Sequence, residues 1–213
     1  MKLVLVRHGE TEWNKLGKFQ GWQDIALNDR GLSQAKQSAQ AVVEWQHSTV
    51  YSSPLKRTMQ VAQEISKLGG KPVEQVPGLR ELSLGDLEGV TGEEMRSGWP
   101  EVYAAWRDDP ASVSMPKGES LLDLQERAWS ALLELEQSHL KKENQDEALV
   151  VVSHNFAIRT LISKILGIPL SNFHRMSLSL SSICTVEIDE RGRRLSGYNS
   201  TAHLSSENRP ENR

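Results

Sequence analysis

Cysteine and long apolar segments are scarce in this chain of 213 residues. The single cysteine, Cys184, excludes an internal disulfide and a metal site built from several thiolates, and we expect it to be a small buried apolar side chain. No apolar run approaches the roughly 18 to 20 residues that cross a bilayer. The run up to Arg7 has one basic residue before its apolar residues and no cleavage site of small residues, so it does not resemble a secretion signal. We therefore expect a soluble, cytoplasmic protein that does not associate with membranes.

An excess of charge of either sign is also missing. Lysine and arginine total 25, and aspartate and glutamate total 28, which gives a formal net charge of −3. A general nucleic-acid-binding protein needs a basic face, so this balance argues against that class. Hydrophobic residues make up 38% of the chain, which is enough for one globular core and too much for a disordered chain. The partner that we expect is a small molecule, and the sequence leaves a homodimer open.

Apolar runs that are typical of buried strands alternate with segments of helical periodicity. Strands are predicted at residues 3–6, 49–51, 71–76, 148–152 and 182–188, and helices at 32–45, from Pro54 onward, at 119–139 and at 156–166. This alternation indicates an α/β fold, a three-layer αβα sandwich around a mostly parallel sheet. The pattern weakens at residues 86–118, where we expect a small cap insertion with one short helix. We predict a single domain at residues 1–204 and a flexible tail at 205–213.

Basic side chains follow three of the predicted strands. Arg7 and His8 end the first strand, Arg57 follows the second at the start of a helix, and His154 ends the fourth. Ligands in parallel sheets bind beyond the carboxyl ends of the strands, so these side chains are expected to meet at one edge. Guanidinium groups bind phosphate oxygens in pairs and stay charged, so Arg7, Arg57 and a protonated His154 would offset the charge of a phosphomonoester.

His8 has a different expected role, because it precedes Gly9 in a tight turn. A neutral imidazole can attack phosphorus, provided that a hydrogen bond to one ring nitrogen leaves the lone pair of the other facing the substrate. The leaving alkoxide then needs a proton. Glu81 is the candidate donor, because the apolar segment around it could place it at the same edge. Facing a phosphate dianion, its carboxyl would hold a proton more readily and could later accept one from water.

Five ordered blocks of the sequence resemble the histidine phosphatase superfamily, which has the phosphoglycerate-mutase-like fold. The blocks are residues 7–14 (RHGETEWN), 20–24 (QGWQD), 52–58 (SSPLKRT), Glu81 with Gly85 and residues 88–89, and 151–154 (VVSH). The resemblance in order and spacing extends over about residues 1–203. An Arg-His-Gly tripeptide alone would be weak support, whereas five blocks in the family's order are specific.

This resemblance implies a three-layer αβα fold and catalysis without metal or cofactor, through a phosphate group carried on His8. It implies that Glu81 is the proton donor. The catalytic set that it implies is His8, Glu81, Arg7, Arg57 and His154. The residues that it implies for binding of the phosphate group are Arg7, Asn14, Gln20, Gly21, Arg57, Glu81, His154 and Asn155. Many relatives have glycine where Asn155 stands, so this side chain narrows the room around the phosphate.

The same resemblance favours a phosphatase over a mutase. Family mutases hold a sugar acid with a tyrosine, a lysine and an arginine pair, whereas the corresponding positions here are Leu84, a place near Gly92, and Arg107 followed by Asp108. An acidic residue there would repel a bisphosphate. We therefore predict a metal-independent hydrolase of small phosphomonoesters, similar to phosphoserine phosphatases or of broad specificity. The alternative is a cofactor-dependent phosphoglycerate mutase.

Two groups of residues stay open to more than one interpretation. The aromatic side chains Trp99, Tyr103 and Trp106 either pack within the cap or contact the substrate. His203 either approaches the site or belongs to the tail.

Overall fold

The strands form one mixed sheet in the computed structural model, which describes residues 1–141 and 147–209. Their bounds are β1 at Lys2–Arg7, β2 at Val50–Ser52, β3 at Val73–Gln75, β4 at Ala148–Ser153, β5 at Ile183–Asp189 and β6 at Gly192–Ser200. Within the described residues the order across the sheet is β3-β2-β4-β1-β5-β6. The first four strands of this order are parallel, whereas β5 and β6 are antiparallel to their neighbours. The predicted, mostly parallel sheet is confirmed.

The helices lie largely where the apolar periodicity places them. Their bounds are α1 at Glu12–Lys15, α2 at Asp29–Val42, α3 at Lys56–Gly69, α4 at Gly92–Gly98, α5 at Pro100–Asp108, α6 at Leu121–Leu140 and α7 at Asn155–Leu166. Helix α2 begins before the predicted residue 32, because the side chain of Asn28 caps it and accepts the N–H of Gly31. Periodicity does not predict α4, which is short and starts at a glycine, or β6, which lacks β-branched residues.

Alternate side chains of the sheet face two separate helical layers. Leu5 of β1 lies in a core cluster with Leu132 of α6 and with residues of α7. Val4, its neighbour in sequence, lies in a different cluster with Val61 of α3 and with residues of α2. Successive side chains of a strand point to opposite faces, so one apolar strand serves both cores. The sheet thus lies between the pair α2–α3 and the pair α6–α7, which confirms the three-layer αβα sandwich.

The region of the expected cap, residues 86–118, contains α4, α5 and short 3₁₀ turns. The one short helix expected there corresponds to α5, which includes Tyr103 and Trp106. A third apolar cluster joins Met95 of α4 to Leu124 of α6 and to Phe173. The assignment of residues 1–204 to one domain with a cap insertion stays a prediction.

The end of the chain contacts α2 as far as residue 209. The carbonyl of Asn208 accepts a hydrogen bond from the Gln34 side chain at 2.7 Å, and its side chain donates to Ser33 Oγ at 2.8 Å. The carbonyl of Arg209 accepts one from the Arg30 guanidinium at 2.8 Å. These contacts hold residues 205–209 of the predicted flexible tail against a helix rather than leaving them free. The rest of that tail, residues 210–213, lies outside the described residues.

Cys184 lies in β5 directly opposite Leu5 of β1, inside the first core cluster. The backbone N–H of Asn199 donates to its sulfur at 3.3 Å. Burial raises the pKa of its thiol to about 11. The prediction that Cys184 is a small buried side chain is confirmed, and its thiol stays protonated at neutral pH. None of the helices in the described part of the chain is both long and apolar enough to span a bilayer.

Candidate active site

The carboxyl ends of β1 and β4 place two histidines side by side. Arg7, the last residue of β1, pairs in register with Ser153, the last residue of β4. The residue after each is a histidine, and the N–H of His8 donates to the Ser153 carbonyl at 3.2 Å. The ring centroids of His8 and His154 are 5.3 Å apart, and both residues are buried. The parallel pairing of the two strands therefore brings together imidazoles that are far apart in sequence.

Hydrogen bonding and burial define the state of the His8 ring. Its Nδ1 lies 2.7 Å from the Gly9 carbonyl oxygen, which can only accept, so Nδ1 carries the hydrogen and donates it. The lone pair of the neutral ring is then on Nε2. Burial, followed by the positive charges of Arg57 and Arg7, lowers the pKa of His8 well below its ordinary value. The ring is therefore neutral near pH 7 and carries a nucleophilic nitrogen.

His154 is held in the same uncharged state. Its Nε2 lies 2.7 Å from the Ser53 hydroxyl, and its Nδ1 is buried without a hydrogen-bond partner among the described residues. Burial lowers the pKa of His154 well below its ordinary value, and Arg57 and His8 lower it further. The protonated His154 expected from the sequence is therefore not the form that the protein favours, because the ring is buried and two arginine charges lie nearby. The negative charge of a bound phosphate would raise the pKa of His154.

Two guanidinium groups flank the imidazoles. Arg57 is 1% exposed, and its two terminal nitrogens donate to the carbonyls of Gly21 and Gln23, both at 2.8 Å. A terminal nitrogen of Arg7 donates to the carbonyl of Leu178. Burial lowers the pKa of each guanidinium to about 10, so both stay protonated at neutral pH. The Nε atoms of both arginines are buried and have no hydrogen-bond partner within residues 1–141 and 147–209.

The carboxylate of Glu81 lies at the start of α7, just after the second histidine. It accepts the backbone N–H of Phe156 at 3.0 and 3.2 Å, that of Ala157 at 3.1 Å and that of Leu82 at 3.0 Å. The first N–H groups of a helix have no partner in the helix and carry partial positive charge, so they attract a carboxylate. Its negative charge also acts on the guanidinium groups of both arginines. Glu81 thus belongs to the same buried cluster.

The other predicted phosphate contacts lie around Thr11 and the start of α7. The Thr11 hydroxyl lies 3.0 Å from both Asn14 Oδ1 and Gln20 Oε1. With these oxygens engaged, the amide NH₂ groups of both side chains are the parts available to an anion. Gly21 has a φ of 51°, a conformation that favours glycine, and a Cβ there would lie 2.2 Å from a carboxylate oxygen. Asn155 begins α7, and its Oδ1 is buried without a partner in the described part of the chain.

A cleft of about 830 Å³ opens beside Arg7 and Asn14. Its walls also include charged side chains of both signs, among them Glu10, Lys15 and Arg30. The volume is within the range of small-molecule sites. Of the clustered residues Arg7 lines this cleft, whereas His8, Arg57, Glu81 and His154 lie outside its walls.

Comparison with known proteins agrees with this geometry. A family model described as histidine phosphatase superfamily (branch 1) matches residues 3–201. The chain belongs to the histidine phosphatase superfamily. The resemblance seen in the five sequence blocks is thereby confirmed.

Related proteins place this histidine phosphatase among enzymes that act on small metabolites. It is 34% identical to phosphoserine phosphatase 1 of Hydrogenobacter thermophilus over 204 residues, which cover 96% of this chain and 94% of that protein. A crystal structure of phosphoserine phosphatase from Entamoeba histolytica in complex with 3-phosphoglyceric acid superposes with a TM-score of 0.83 at 34% identity, over 96% of this chain and 99% of that one. YhfR of Bacillus stearothermophilus superposes with a TM-score of 0.88 at 27% identity, over 95% and 98%. The protein is a small-metabolite phosphatase of this family.

Several residues around the site of this histidine phosphatase escape prediction from sequence. Ser53 contacts His154, and Trp22 Nε1 donates to the Glu81 carbonyl at 2.7 Å. Arg127 and Glu119 lie behind Glu81 and contact the same loop. Ser53 and Trp22 stand within the family-like blocks, which is the one signal that could have found them. Arg127 lies in the helix α6, which has ordinary apolar periodicity, and an arginine in such a helix is normally predicted to face solvent.

The aromatic residues of the cap region, Trp99, Tyr103 and Trp106, pack against the third apolar cluster. The Trp106 ring lies 5.8 Å from Phe156 and 6.0 Å from Phe173, measured between centroids. This contact favours packing as the role of Trp106. His203 Nε2 lies 3.2 Å from Ser38 Oγ on α2, so this residue contacts the helix behind the His8 loop.

Proposed function

We propose that this histidine phosphatase hydrolyses small phosphomonoesters in two steps, with the phosphoryl group carried on His8 in between. The observation that carries the proposal is the uncharged pair of His8 and His154, with rings 5.3 Å apart, beside two guanidinium groups that stay charged. A neutral nucleophile next to fixed positive charge suits a phosphate dianion. Phosphoryl transfer depends mostly on positioning and charge stabilisation, and this arrangement supplies both.

In the first step Nε2 of His8 attacks phosphorus, so that a P–N bond forms while the P–O bond to the substrate alcohol breaks. In this proposal Glu81 takes part in its protonated form beside the phosphate dianion; its proton passes to the leaving oxygen, and a neutral alcohol departs. In the second step water attacks phosphorus and gives a proton to the Glu81 carboxylate, while the P–N bond breaks and its electron pair returns to Nε2. Inorganic phosphate then leaves, and both residues regain their starting states.

The phosphoryl oxygens are bound by nitrogen atoms that have no partner among the described residues, namely Nε of Arg7, Nε of Arg57 and Nδ1 of His154. The Ser53 hydroxyl lies 2.7 Å from Nε2 of His154. In the proposed state this hydroxyl donates to Nε2, so the ring carries its hydrogen on Nδ1 and donates it to the phosphoryl group. Amide groups of two further residues, Asn14 and Gln20, complete the set. The carbonyl of Gly21 and the start of α7 at Asn155 border it.

The substrate class that we favour is a phosphorylated hydroxy amino acid, phosphoserine above all. Relatives that act on phosphoserine support this choice. In the wall of the cleft beside Arg7, Glu10 and Arg30 pair with each other at 3.4 Å, so Lys15 is the charged side chain there that suits the carboxylate of such a substrate. A panel of phosphorylated metabolites ranked by kcat/KM tests this choice. We expect phosphoserine to rank first, whereas a flat ranking would indicate broad specificity instead.

Trapping of the intermediate tests the mechanism. The enzyme is mixed with ³²P-labelled phosphoserine in EDTA, quenched in alkali and separated from free phosphate. We expect label on the protein that is stable in alkali and lost in acid, and none on His8→Ala. Wild-type turnover in His8→Ala would overturn the proposal. Isomerisation of 3-phosphoglycerate without release of phosphate would favour the mutase reaction instead.

EDTA belongs in that assay because the proposed steps use only protein groups. Among the described residues, no set of three or more histidine, cysteine, aspartate or glutamate side chains is placed to hold a metal ion. We expect the same turnover with EDTA and with added magnesium.

A further inference from the structure

We propose that Arg127, fixed by Glu119, is a positioning residue that holds the proton donor Glu81 in place for the reaction. This inference rests on the function proposed above, in which Glu81 protonates the leaving oxygen. Arg127 and Glu119 both hydrogen-bond the backbone of the loop that carries Glu81, so the pair acts through that loop.

The loop around Glu81 has few backbone partners of its own. It runs from the 3₁₀ turn at Pro77–Leu79 to the one at Gly85–Leu87, outside the sheet. Carbonyl groups in such a segment need donors from elsewhere. Arg127 supplies them: one terminal nitrogen donates to the carbonyls of Gly78 at 2.8 Å and Arg80 at 3.1 Å, and the other donates to that of Glu81 at 3.1 Å. A single guanidinium therefore fixes three carbonyls up to Glu81.

Glu119 sets the orientation of this guanidinium and contacts the loop on the other side of Glu81. Its two carboxylate oxygens accept hydrogen bonds from Arg127 Nε at 2.9 Å and from a terminal nitrogen at 2.7 Å. A paired contact of this kind fixes the plane of the guanidinium. Glu119 also accepts the N–H of Ser83 at 2.9 Å, and its own N–H donates to the Ser83 carbonyl at 2.9 Å. The ion pair thus binds backbone on both sides of the proton donor.

Trp22 ties the same carbonyl to the phosphate-binding side of the site. Its indole N–H donates to the Glu81 carbonyl at 2.7 Å, and its ring lies under the guanidinium carbons of Arg80 at 5.0 Å and of Arg127 at 5.9 Å. Its neighbours in sequence on both sides provide the carbonyls that hold Arg57. The backbone of the proton donor and the arginine that binds phosphate are therefore fixed by one connected set of contacts.

This arrangement matters for proton transfer, because a displacement of about 1 Å of a catalytic group can cost on the order of 10²-fold in rate. Without Arg127, three carbonyl groups of the loop lose the side chain that donates hydrogen bonds to them. The Glu81 carboxylate still accepts hydrogen bonds from the first N–H groups of α7. We expect the carboxyl group to shift away from the leaving oxygen. The need for an acid depends on the alcohol that leaves, because a serine alkoxide requires protonation and a nitrophenolate does not.

The test compares kcat/KM for phosphoserine and for p-nitrophenyl phosphate, since kcat/KM reports the steps up to departure of the alcohol. For Arg127→Gln we expect a loss of about 10²-fold on phosphoserine and less than about threefold on p-nitrophenyl phosphate. Arg127→Lys keeps the charge beside Glu119 but not the fork of donors, and we expect a smaller, equally selective loss. Trp22→Phe removes the other donor to the Glu81 carbonyl and is expected to act in the same direction.

Arg193→Gln is the matched control, because Arg193 forms a similarly half-buried ion pair with Glu136 of α6 away from Glu81. We expect it to leave the ratio of the two kcat/KM values unchanged. Equal losses on both substrates in Arg127→Gln and Arg127→Lys would overturn the positioning role. If Arg127→Gln does not fold, the ratio of the two kcat/KM values measured for Arg127→Lys decides whether Arg127 positions Glu81.

Glu81→Gln separates failure of this inference from failure of the proposed function. A selective loss on phosphoserine in Glu81→Gln, with unchanged ratios in the Arg127 variants, overturns the positioning role alone. An equal loss on both substrates in Glu81→Gln overturns the assignment of Glu81 as the proton donor, and the role of Arg127 fails with it.

Discussion

The imidazoles of His8 and His154 are buried in uncharged form, and this couples the stability of the fold to pH. Burial and the charge of Arg57 lower the pKa of both rings well below the ordinary value of 6.5. In the unfolded chain both rings regain that ordinary value. Below pH 6.5 the unfolded state therefore binds more protons than the folded state, so the free energy of unfolding falls as the pH falls.

We expect each of these histidines to lower the free energy of unfolding by on the order of 1 kcal/mol between pH 7.5 and pH 5.5. His8→Asn cannot take up that proton, so its stability is expected to fall by less over the same interval. Urea unfolding of both proteins at the two pH values measures the difference. Identical pH dependence of the two would show that His8 titrates normally in the folded state.

Single residues of the site differ in how far sequence alone identifies them. His8, Arg7 and His154 follow apolar strands directly, so their position at the edge of the sheet follows from local pattern. Ser53 and His154 are 101 positions apart in the chain, and Trp22 and Glu81 are 59 apart. Such contacts depend on how distant loops pack against each other in the folded chain. Composition and periodicity carry no information on this packing.

At the scale of elements, the first turn of α2 packs directly against the loop that follows His8. A Cβ on Gly31 would lie 2.0 Å from the carbonyl oxygen of Glu10, and one on Gly9 would lie 2.8 Å from the carbonyl of Gly31. Glycine at these two positions allows backbone to touch backbone. The sequence predicts that this helix begins at residue 32, whereas in the structure Gly31 already lies inside α2, in the first turn that makes this contact.

Gly31→Ala is expected to lower the free energy of unfolding by about 1–3 kcal/mol, because the added methyl group must displace the loop after His8. Gly98→Ala is the control, since a Cβ there meets nothing within 4 Å and alanine favours a helix. We expect that variant to be unchanged or more stable by up to about 1 kcal/mol. Urea denaturation of both variants provides the comparison, and equal stabilities would contradict the close contact.

At the scale of the whole molecule, the end of the chain reaches back to the loop that follows His8. Gln34 of α2 donates to the Asn208 carbonyl at 2.7 Å and accepts the N–H of Glu10 at 2.9 Å. One buried amide thus joins the last described residues to the loop after His8. The sequence predicts the layers of the fold from strand and helix periodicity, but this contact between the two ends of the chain has no periodic signal.

Removal of residues 205–213 is expected to lower the free energy of unfolding by about 2–3 kcal/mol, because five hydrogen bonds between residues 205–209 and α2 are lost. Of its partners in the described part of the chain, Gln34 then keeps only the N–H of Glu10. For a chain of this size we expect the midpoint of thermal unfolding to fall by about 5–10 °C. Asn208→Ala, which keeps the backbone, is expected to lose about 1 kcal/mol. A truncated protein with the same midpoint of thermal unfolding as the full chain would contradict this role of the terminus.

The thiol of Cys184, with a pKa of about 11 and a place inside the sheet, has a consequence for redox chemistry. Peroxides and alkylating agents attack thiolates, and almost none of this group is ionised at neutral pH. The nucleophile of the proposed reaction is a nitrogen atom of His8, not a cysteine sulfur. Hydrogen peroxide at levels that inactivate enzymes with a thiolate nucleophile is therefore expected to leave turnover here unchanged, which an assay before and after exposure measures. Dephosphorylation by this enzyme would then continue through oxidative stress.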